Sequence, residues 1–225
     1  MLKRFFAPDP SYKQMTGKYK PKDTLMAVGL YVAFILFCVA LGYLRGNTNV
    51  SEFYTSVAGY VVLAVICLCM VIFRKDKLST VGFSFRRFPK ALLFGLVTGL
   101  ILSLYYIIPA IVNDGKLTID FSPLPWDAVY LLFVIVLPQE LIFRGYIQTR
   151  LYGAVKFGFL TVLLGGLLYA VMQASLSIFG GGIDWIWLAL TILWHILFNF
   201  LYRRYNSLTA PVAANWLMLL CAAML

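Results

Sequence analysis

Ala128-Val-Tyr-Leu-Leu-Phe-Val-Ile-Val-Leu-Pro138-Gln139-Glu140-Leu-Ile-Phe143-Arg144-Gly145-Tyr146 carries an unbroken apolar run straight into Gln139, Glu140 and Arg144, with no turn signal between them. Glu140 and Arg144 stand four apart, so a helix places them on one face, close enough to pair. A charge inside a membrane helix costs about 2.5–3.5 kcal/mol on insertion scales and marks function by default. The same spacing also fits a structural ion pair at the inner end of a span, with Arg144 snorkelling to the interface. The stretch alone leaves both readings open.

Outward from it, composition settles the class. The set AVILMFWYC makes up 62% of the 225 residues, DEKR only 12%, and mean hydropathy is +0.86. A soluble domain carries about 25% charged residues, so this chain has too few charges to solvate its own surface. A soluble enzyme, a disordered chain and a nucleic-acid module are excluded. The expected fold is an all-α polytopic membrane protein, a bundle of about seven transmembrane helices. A hydrocarbon core takes about 20 apolar residues of helix. The candidates are Thr24–Leu44, Val57–Phe73, Ala91–Val112, Ala128–Pro138 with its polar continuation, Phe157–Leu176, Ile183–Tyr202 and Leu208–Leu225. Six or eight spans stay open, because the fourth has a short purely apolar part and the seventh ends the chain abruptly.

The net charge of +10 is topological rather than a nucleic-acid signal. Seventeen of the 19 Lys and Arg fall in the N-terminal tail, in the Arg74–Lys90 loop, and in the turns after the fourth and sixth spans. Arg45 and Lys116 alone lie on the other side, with Glu52, Asp114, Asp120, Asp127 and Asp184. That asymmetry predicts a multi-pass protein of the cell membrane with a cytoplasmic N-terminus. Lys3 and Arg4 beside Phe5 and Phe6 suit either anionic headgroups or a solvated tail. No cleavable signal peptide is visible.

Cys38, Cys67, Cys69 and Cys221 lie in apolar runs and read as packing residues. Cys67 and Cys69 point about 200° apart on a helix, a poor ligand pair. With one histidine, His195, no His-cluster metal site is expected, and no cofactor. Gly95 and Gly99 read as close helix packing within the bundle rather than as a dimer seam. Gly165-Gly166 reads likewise, or leaves room near Gln173. Tyr105-Tyr106, Trp185 and Trp187 read as belts and packing. Gly180-Gly181-Gly182 reads as a flexible outer loop, and Ser122-Pro-Leu-Pro125 with Trp126 as an outer lead-in.

Pro138-Gln-Glu-Leu-Ile-Phe-Arg-Gly-Tyr146 resembles the first motif of the CPBP family (also called Abi), which includes type II CAAX prenyl proteases and bacteriocin self-immunity proteins. That motif reads Glu-Glu-x-x-x-Arg, often with Phe-Arg-Gly; Gln139, Glu140, Phe143, Arg144 and Gly145 fall on it. Leu78-Ser-Thr-Val-Gly-Phe83 resembles the family's Leu-Gly-Leu entry to its first core helix. Leu201-Tyr-Arg-Arg-Tyr-Asn-Ser-Leu208 resembles its Leu-Tyr-x-Arg-Thr-Gly-Ser-Leu turn. The resemblance covers about residues 78–220. Charge and hydropathy place a basic cytoplasmic tail at 1–23 and two N-terminal transmembrane helices with the start of a basic loop at 24–77; the resemblance implies a CPBP-like core at 78–225. It also implies a glutamate-dependent intramembrane peptidase site. A Glu acts as base on a water, two His hold and polarise it, and an Asn supports the oxyanion. A desolvated carboxylate is a usable base near neutral pH, and oriented donors stabilise charge strongly in a dry site.

The chain departs from that pattern at most of these positions. The first Glu is Gln139. The second motif, Phe-x-x-x-His, falls on Tyr169-Ala-Val-Met-Gln173. The third, His-x-x-x-Asn, falls on Asn215-Trp-Leu-Met-Leu219. Only Glu140 and Arg144 survive, with Gln139, Gln173 and Asn215 as amides that form hydrogen bonds but relay no protons at neutral pH. Each missing acid–base group costs about 10²–10⁴ in rate where it acts. His195-Ile-Leu-Phe-Asn199 repeats the His-x-x-x-Asn spacing in the preceding helix. Either His195 is a relocated histidine reaching the Glu140 pocket, or His195 and Asn199 make ordinary interhelical hydrogen bonds; the second reading is favoured.

Three functions follow as expectations. The first is a catalytically degenerate CPBP-type protein that binds a membrane protein or peptide in the former substrate cleft, in regulation or immunity. The second is an active CAAX-type endopeptidase using Glu140. The third is a transporter or channel gated by Glu140 and Arg144, against which stand the lack of an inverted repeat and of paired broken helices. The expected partners are the lipid bilayer and a membrane protein or peptide, not nucleic acid; oligomeric state is not readable.

Overall fold

The computed structural model describes residues 7–48, 51–85, 87–122, 124–178 and 183–225. The readings of Lys3 to Phe6, of the Gly180–Gly182 loop and of Pro123 lie outside these residues. All regular structure among them is helical. A short helix α1 (Pro10–Thr16) leads to α2 (Pro21–Asn47), α3 (Tyr54–Phe73), α4 (Phe88–Asp114), α5 (Trp126–Leu151), α6 (Gly158–Ser177), α7 (Trp185–Tyr205) and α8 (Thr209–Ala223).

Six of these, α2 to α7, are long and apolar enough to cross a bilayer. The seventh expected span forms as α8, but its 15 residues rise only about 22 Å, short of a hydrocarbon core of about 30 Å. α8 lies against α4 rather than standing alone in lipid. Gly95 and Gly99 let this happen: a Cβ on Gly95 would sit 2.5 Å from the Ala210 carbonyl oxygen, and one on Gly99 2.7 Å from that of Ala214. The Gly-x-x-x-Gly pair therefore packs inside the bundle.

Helix starts explain why the elements outrun the apolar runs. α2 begins at Pro21, where a missing N–H is harmless, and the Asp23 carboxylate accepts the Lys20 amide at 2.7 Å. α7 is capped by Asp184, which accepts from the amides of Ile186 and Trp187. The fourth span passes Pro138 and continues to Leu151 without a break.

The helices alternate in direction, so the bundle has a basic end and an opposite end. Around the basic end the two turns that flank the core interlock. Leu78–Val81 forms one 3₁₀ turn ending at Gly82, whose φ of +91° and close approach to Tyr202 admit no side chain. The turn between α7 and α8 rests on it: Leu208 donates its amide to the Gly82 carbonyl at 3.0 Å, and Ser207 its hydroxyl to the Ser84 carbonyl at 2.9 Å.

The N-terminal segment closes this end. Asp9 pairs with Arg87 and donates its amide to the Arg203 carbonyl. Tyr12 is inserted edge-on between Tyr152 and Tyr202, both with ring centroids 5.7 Å away, and its burial pushes the hydroxyl well above the usual tyrosine range. Tyr12→Ala removes a buried ring worth about 3 kcal/mol or more. The expected result is at least tenfold faster tryptic cleavage at Lys13 and Lys18 in detergent, with the helical core left intact; an unchanged rate would mean that Tyr12 does not hold the strap.

The polar half of α5 lies at the centre of the bundle. Every residue from Pro138 to Leu151 is buried, while Leu25, Leu36, Leu93, Ile101 and Leu193 on the surrounding helices face outward. An apolar rim around a polar core suits a lipid surround, where buried polar groups must be satisfied from within.

Candidate functional site

α5 carries the site on an irregular helix. Leu131–Val136 and Leu141–Gln148 form π-helical turns on either side of Leu137–Glu140. Such wide turns recur at functional sites because they re-aim side chains from a regular 3.6-residue face. Here they fall directly before and after Gln139 and Glu140.

Glu140 and Arg144 are both fully buried, and the carboxylate Oε2 lies 3.2 Å from Arg144 Nε. Arg144 therefore does not snorkel to an interface. The other carboxylate oxygen, Oε1, accepts from Asn215 Nδ2 on α8 at 3.0 Å. The two surviving motif residues and the amide in the third-motif position thus form one constellation. Gln139, the neighbour in the pair position, accepts from the Tyr169 hydroxyl on α6 at 3.1 Å.

His195 on α7 stands in the same constellation. Its Nδ1 meets Arg144 Nη2, and its ring stacks face to face on Tyr169. His195 thus makes an interhelical contact, from α7 to α5, and makes it to a motif residue. Asn199 bonds in the other direction, donating to the Val162 carbonyl on α6 at 2.8 Å. Gly165 makes room for that side chain, since a Cβ there would come within 2.7 Å of Asn199 Nδ2. One turn apart on the same face, the two residues do different work.

The Arg144–His195 contact sets the histidine's tautomer. Guanidinium groups donate only, so Nδ1 must accept, and the ring proton then sits on Nε2. In this arrangement His195 is a neutral donor toward its surroundings. A histidine that acts as base needs a free acceptor nitrogen on the substrate side.

Beside these groups lies a cavity of about 860 Å³. Gln139, Tyr169, Gln173, His195 and Asn215 contribute to its wall, whereas Glu140 and Arg144 do not. Every amide in a motif position therefore faces the cavity, and the carboxylate sits behind Asn215. Thr191, Trp187 and Trp194 of α7 add to the wall, and both tryptophans also pack on Tyr106. Trp187 and Trp194 thus combine packing with cavity lining, a double role that their sequence context does not signal. Among the described residues no three His, Cys, Asp or Glu side chains come together to hold a metal ion.

A second buried cation lies nearer the basic end. Arg150 is fully buried on α5, stacked on the Tyr146 ring at 4.0 Å, with its Nη1 donating to Thr149 Oγ1 at 2.9 Å and to the Gly145 carbonyl at 3.2 Å. Its Nη2 lies 3.5 Å from Asp76 in the basic loop. In the sequence it is merely one of the loop cations. Gly145, next to Arg144, lets the Val81 carbonyl approach to within 2.5 Å of where a Cβ would stand, which ties α5 to the 3₁₀ turn.

Residues 121–221 match the family model described as Rce1-like, type II CAAX prenyl endopeptidase Rce1-like. The match spans the Glu140 motif, the α6 and α7 positions and Asn215. No curated protein and no solved structure matches the chain.

Proposed function

Taking as premise that the chain is, over its membrane core, a CPBP-type, CAAX protease-like membrane protein, we propose that it binds a membrane protein or peptide in the former substrate cleft without cleaving it, as a regulatory or immunity protein of the cell membrane. In this reading residues 78–225 form the working core, 24–77 two added helices, and the basic end with the N-terminal tail faces the cytoplasm.

The observation that carries the reading is the position of Glu140. Its carboxylate is held between Arg144 at 3.2 Å and Asn215 at 3.0 Å and takes no part in the cavity wall. A general base must reach the proton it abstracts, directly or through one water. Here Asn215 occupies the oxygen nearest the amide-lined side, and an amide passes no proton onward. The groups that do face the cavity, Gln139, Gln173, Asn215 and His195, form hydrogen bonds and suit holding a ligand. Glu140 and Arg144 then serve to order the floor from behind.

The test is a pull-down from native membranes with the wild type and Glu140→Ala, with the termini of each co-purifying protein mapped by mass spectrometry. Intact partners are expected at equal recovery per folded molecule. A partner whose cut form disappears with Glu140→Ala would establish the alternative, an active endopeptidase.

A further inference from the structure

Three arginines are buried among the described residues, and two of them face a carboxylate: Arg144 has Glu140, and Arg150 has Asp76. Arg203, at the basic end of α7, is only 7% exposed and has no carboxylate within 4 Å among the described residues. Asp9, whose amide bonds the Arg203 carbonyl, gives its own carboxylate to Arg87. A buried cation without a counter-ion is costly. The Arg203 guanidinium lies against the start of α6. Its Nη1 donates to the Gly158 carbonyl at 2.9 Å, and its Nη2 comes within 2.8 Å of where a Gly158 Cβ would stand. Its Nε is buried without a hydrogen-bond partner among the described residues. A helix start carries partial positive charge and amides with no intrahelical acceptor, so a cation there stands at the wrong end. The residues around it add to the charge: the N-cap, Phe157, offers no side-chain bond, the first turn contains no acid, and Lys156 is exposed just before it.

We propose that the start of α6 is a binding site for the phosphate of an anionic phospholipid, held by Arg203, Lys156 and the amides of Gly158, Phe159 and Leu160. Amides at a helix start point toward such an anion, and Arg203 supplies the planar donor fork that suits phosphate oxygens. The Lys156 ammonium bonds the Tyr19 carbonyl at 3.4 Å and, with three protons, has more to give. Gly158 lacks the Cβ that would push the guanidinium aside. A lipid, rather than a phosphate free in solution, is argued from α6 itself. Phe157 and Phe159 are exposed on either side of Gly158, where the polar end meets the apolar span, and Leu160, Leu167 and Val171 continue an exposed stripe along the helix. From Leu160 to Val171 the helix rises about 16 Å, which matches the acyl depth of one leaflet, about 15 Å. With two cations and no acid at the site, a headgroup of net negative charge fits better than one that brings its own choline cation. None of these residues lines the cavity, so the inference stands apart from what the cavity binds.

The test uses the full chain, delipidated in detergent, with dioleoyl phosphatidylglycerol, dioleoyl phosphatidylcholine and inorganic phosphate as probes. Binding is read by native mass spectrometry of the retained lipid and by the shift in thermal unfolding. Phosphatidylglycerol is expected to bind about tenfold more tightly than phosphatidylcholine, the effect of one charge-assisted contact. Millimolar inorganic phosphate is expected to give no comparable shift. Lys156→Gln, at an exposed position, is expected to weaken phosphatidylglycerol by about tenfold on the same grounds. Arg203→Met is expected to abolish the preference between the two lipids.

Lys90→Gln is the control. Lys90 is also exposed at the basic end, in the first turn of α4, but lies outside the site, and its loss should leave the lipid preference unchanged. Equal retention of the two lipids, a loss with Lys90→Gln as large as with Lys156→Gln, or a preference that survives both Lys156→Gln and Arg203→Met would each overturn the inference. A shift by inorganic phosphate equal to that by phosphatidylglycerol would assign the site to a free phosphate anion and overturn the lipid. Should Arg203→Met fail to fold, the contrast between Lys156→Gln and Lys90→Gln decides by itself.

Discussion

Arg144→Ala is expected to destabilise the folded protein by about 3–5 kcal/mol, enough to deplete it from the membrane. The Glu140 carboxylate is fully buried and, among the described residues, draws on two partners, Arg144 at 3.2 Å and Asn215 at 3.0 Å. Removing the guanidinium leaves an anion in a dry interior with a single amide donor. It also takes the donor from His195 Nδ1 and the cation from the faces of Tyr169 and Phe198, 5.6 and 5.7 Å from the guanidinium carbon. Changing both charges together, Glu140→Gln with Arg144→Met, should recover most of the loss, because breaking a buried pair costs far more than replacing it by neutral groups of similar volume. Thermal unfolding of the purified variants in detergent measures both. If Arg144→Ala is as stable as the wild type, or if the double variant is no more stable than Arg144→Ala alone, the pair is not the buried unit described here.

Gly95→Leu is expected to have a comparable effect through pure sterics. A Cβ at this position already falls 2.5 Å from the Ala210 carbonyl oxygen and 2.9 Å from the Ala213 Cβ, and the first of these atoms is backbone that cannot swing away. α8 must shift, at a cost of about 3 kcal/mol for overpacking of this kind. The shift also reaches the site, because Asn215 follows Ala214, the residue on which Gly99 packs. Gly95→Leu should therefore lower the unfolding temperature and loosen the Asn215–Glu140 contact together. Gly29→Ala is the control: nothing lies within 4 Å of its Cβ position, and replacing a mid-helix glycine should stabilise by about 0.5–1 kcal/mol. Were Gly95→Leu tolerated while the oligomeric state changed on light scattering, the glycine pair would be a dimer seam instead.

Much of the architecture was legible from local properties of the chain. A span announces itself within about 20 consecutive residues, since each must stand in hydrocarbon on its own account, and α2 to α7 appear where the apolar runs predict them. The value of Glu140 and Arg144 was legible for the same reason: the cost of a charge in lipid depends on its own segment. The resemblance to a known family located Gln139, Gln173 and Asn215 as well, and all three face the cavity.

Other features required the packed bundle. The start of α8 is set by a turn that rests on Gly82, and its close approach to α4 by Gly95 and Gly99. Arg144 could have snorkelled; it does not, because α5 runs on to Leu151 and four other helices enclose it. His195 lies 51 residues from Arg144, and only the packing of α7 against α5 and α6 determines that it meets Arg144 while Asn199, one turn on, bonds to Val162. Desolvation and hydropathy act residue by residue along the chain, so the sequence by itself determined which segments enter the membrane and which charges are costly there. Crossing distances, set by glycines against backbone oxygens far away in sequence, decided which of those polar groups meet and which face an open space.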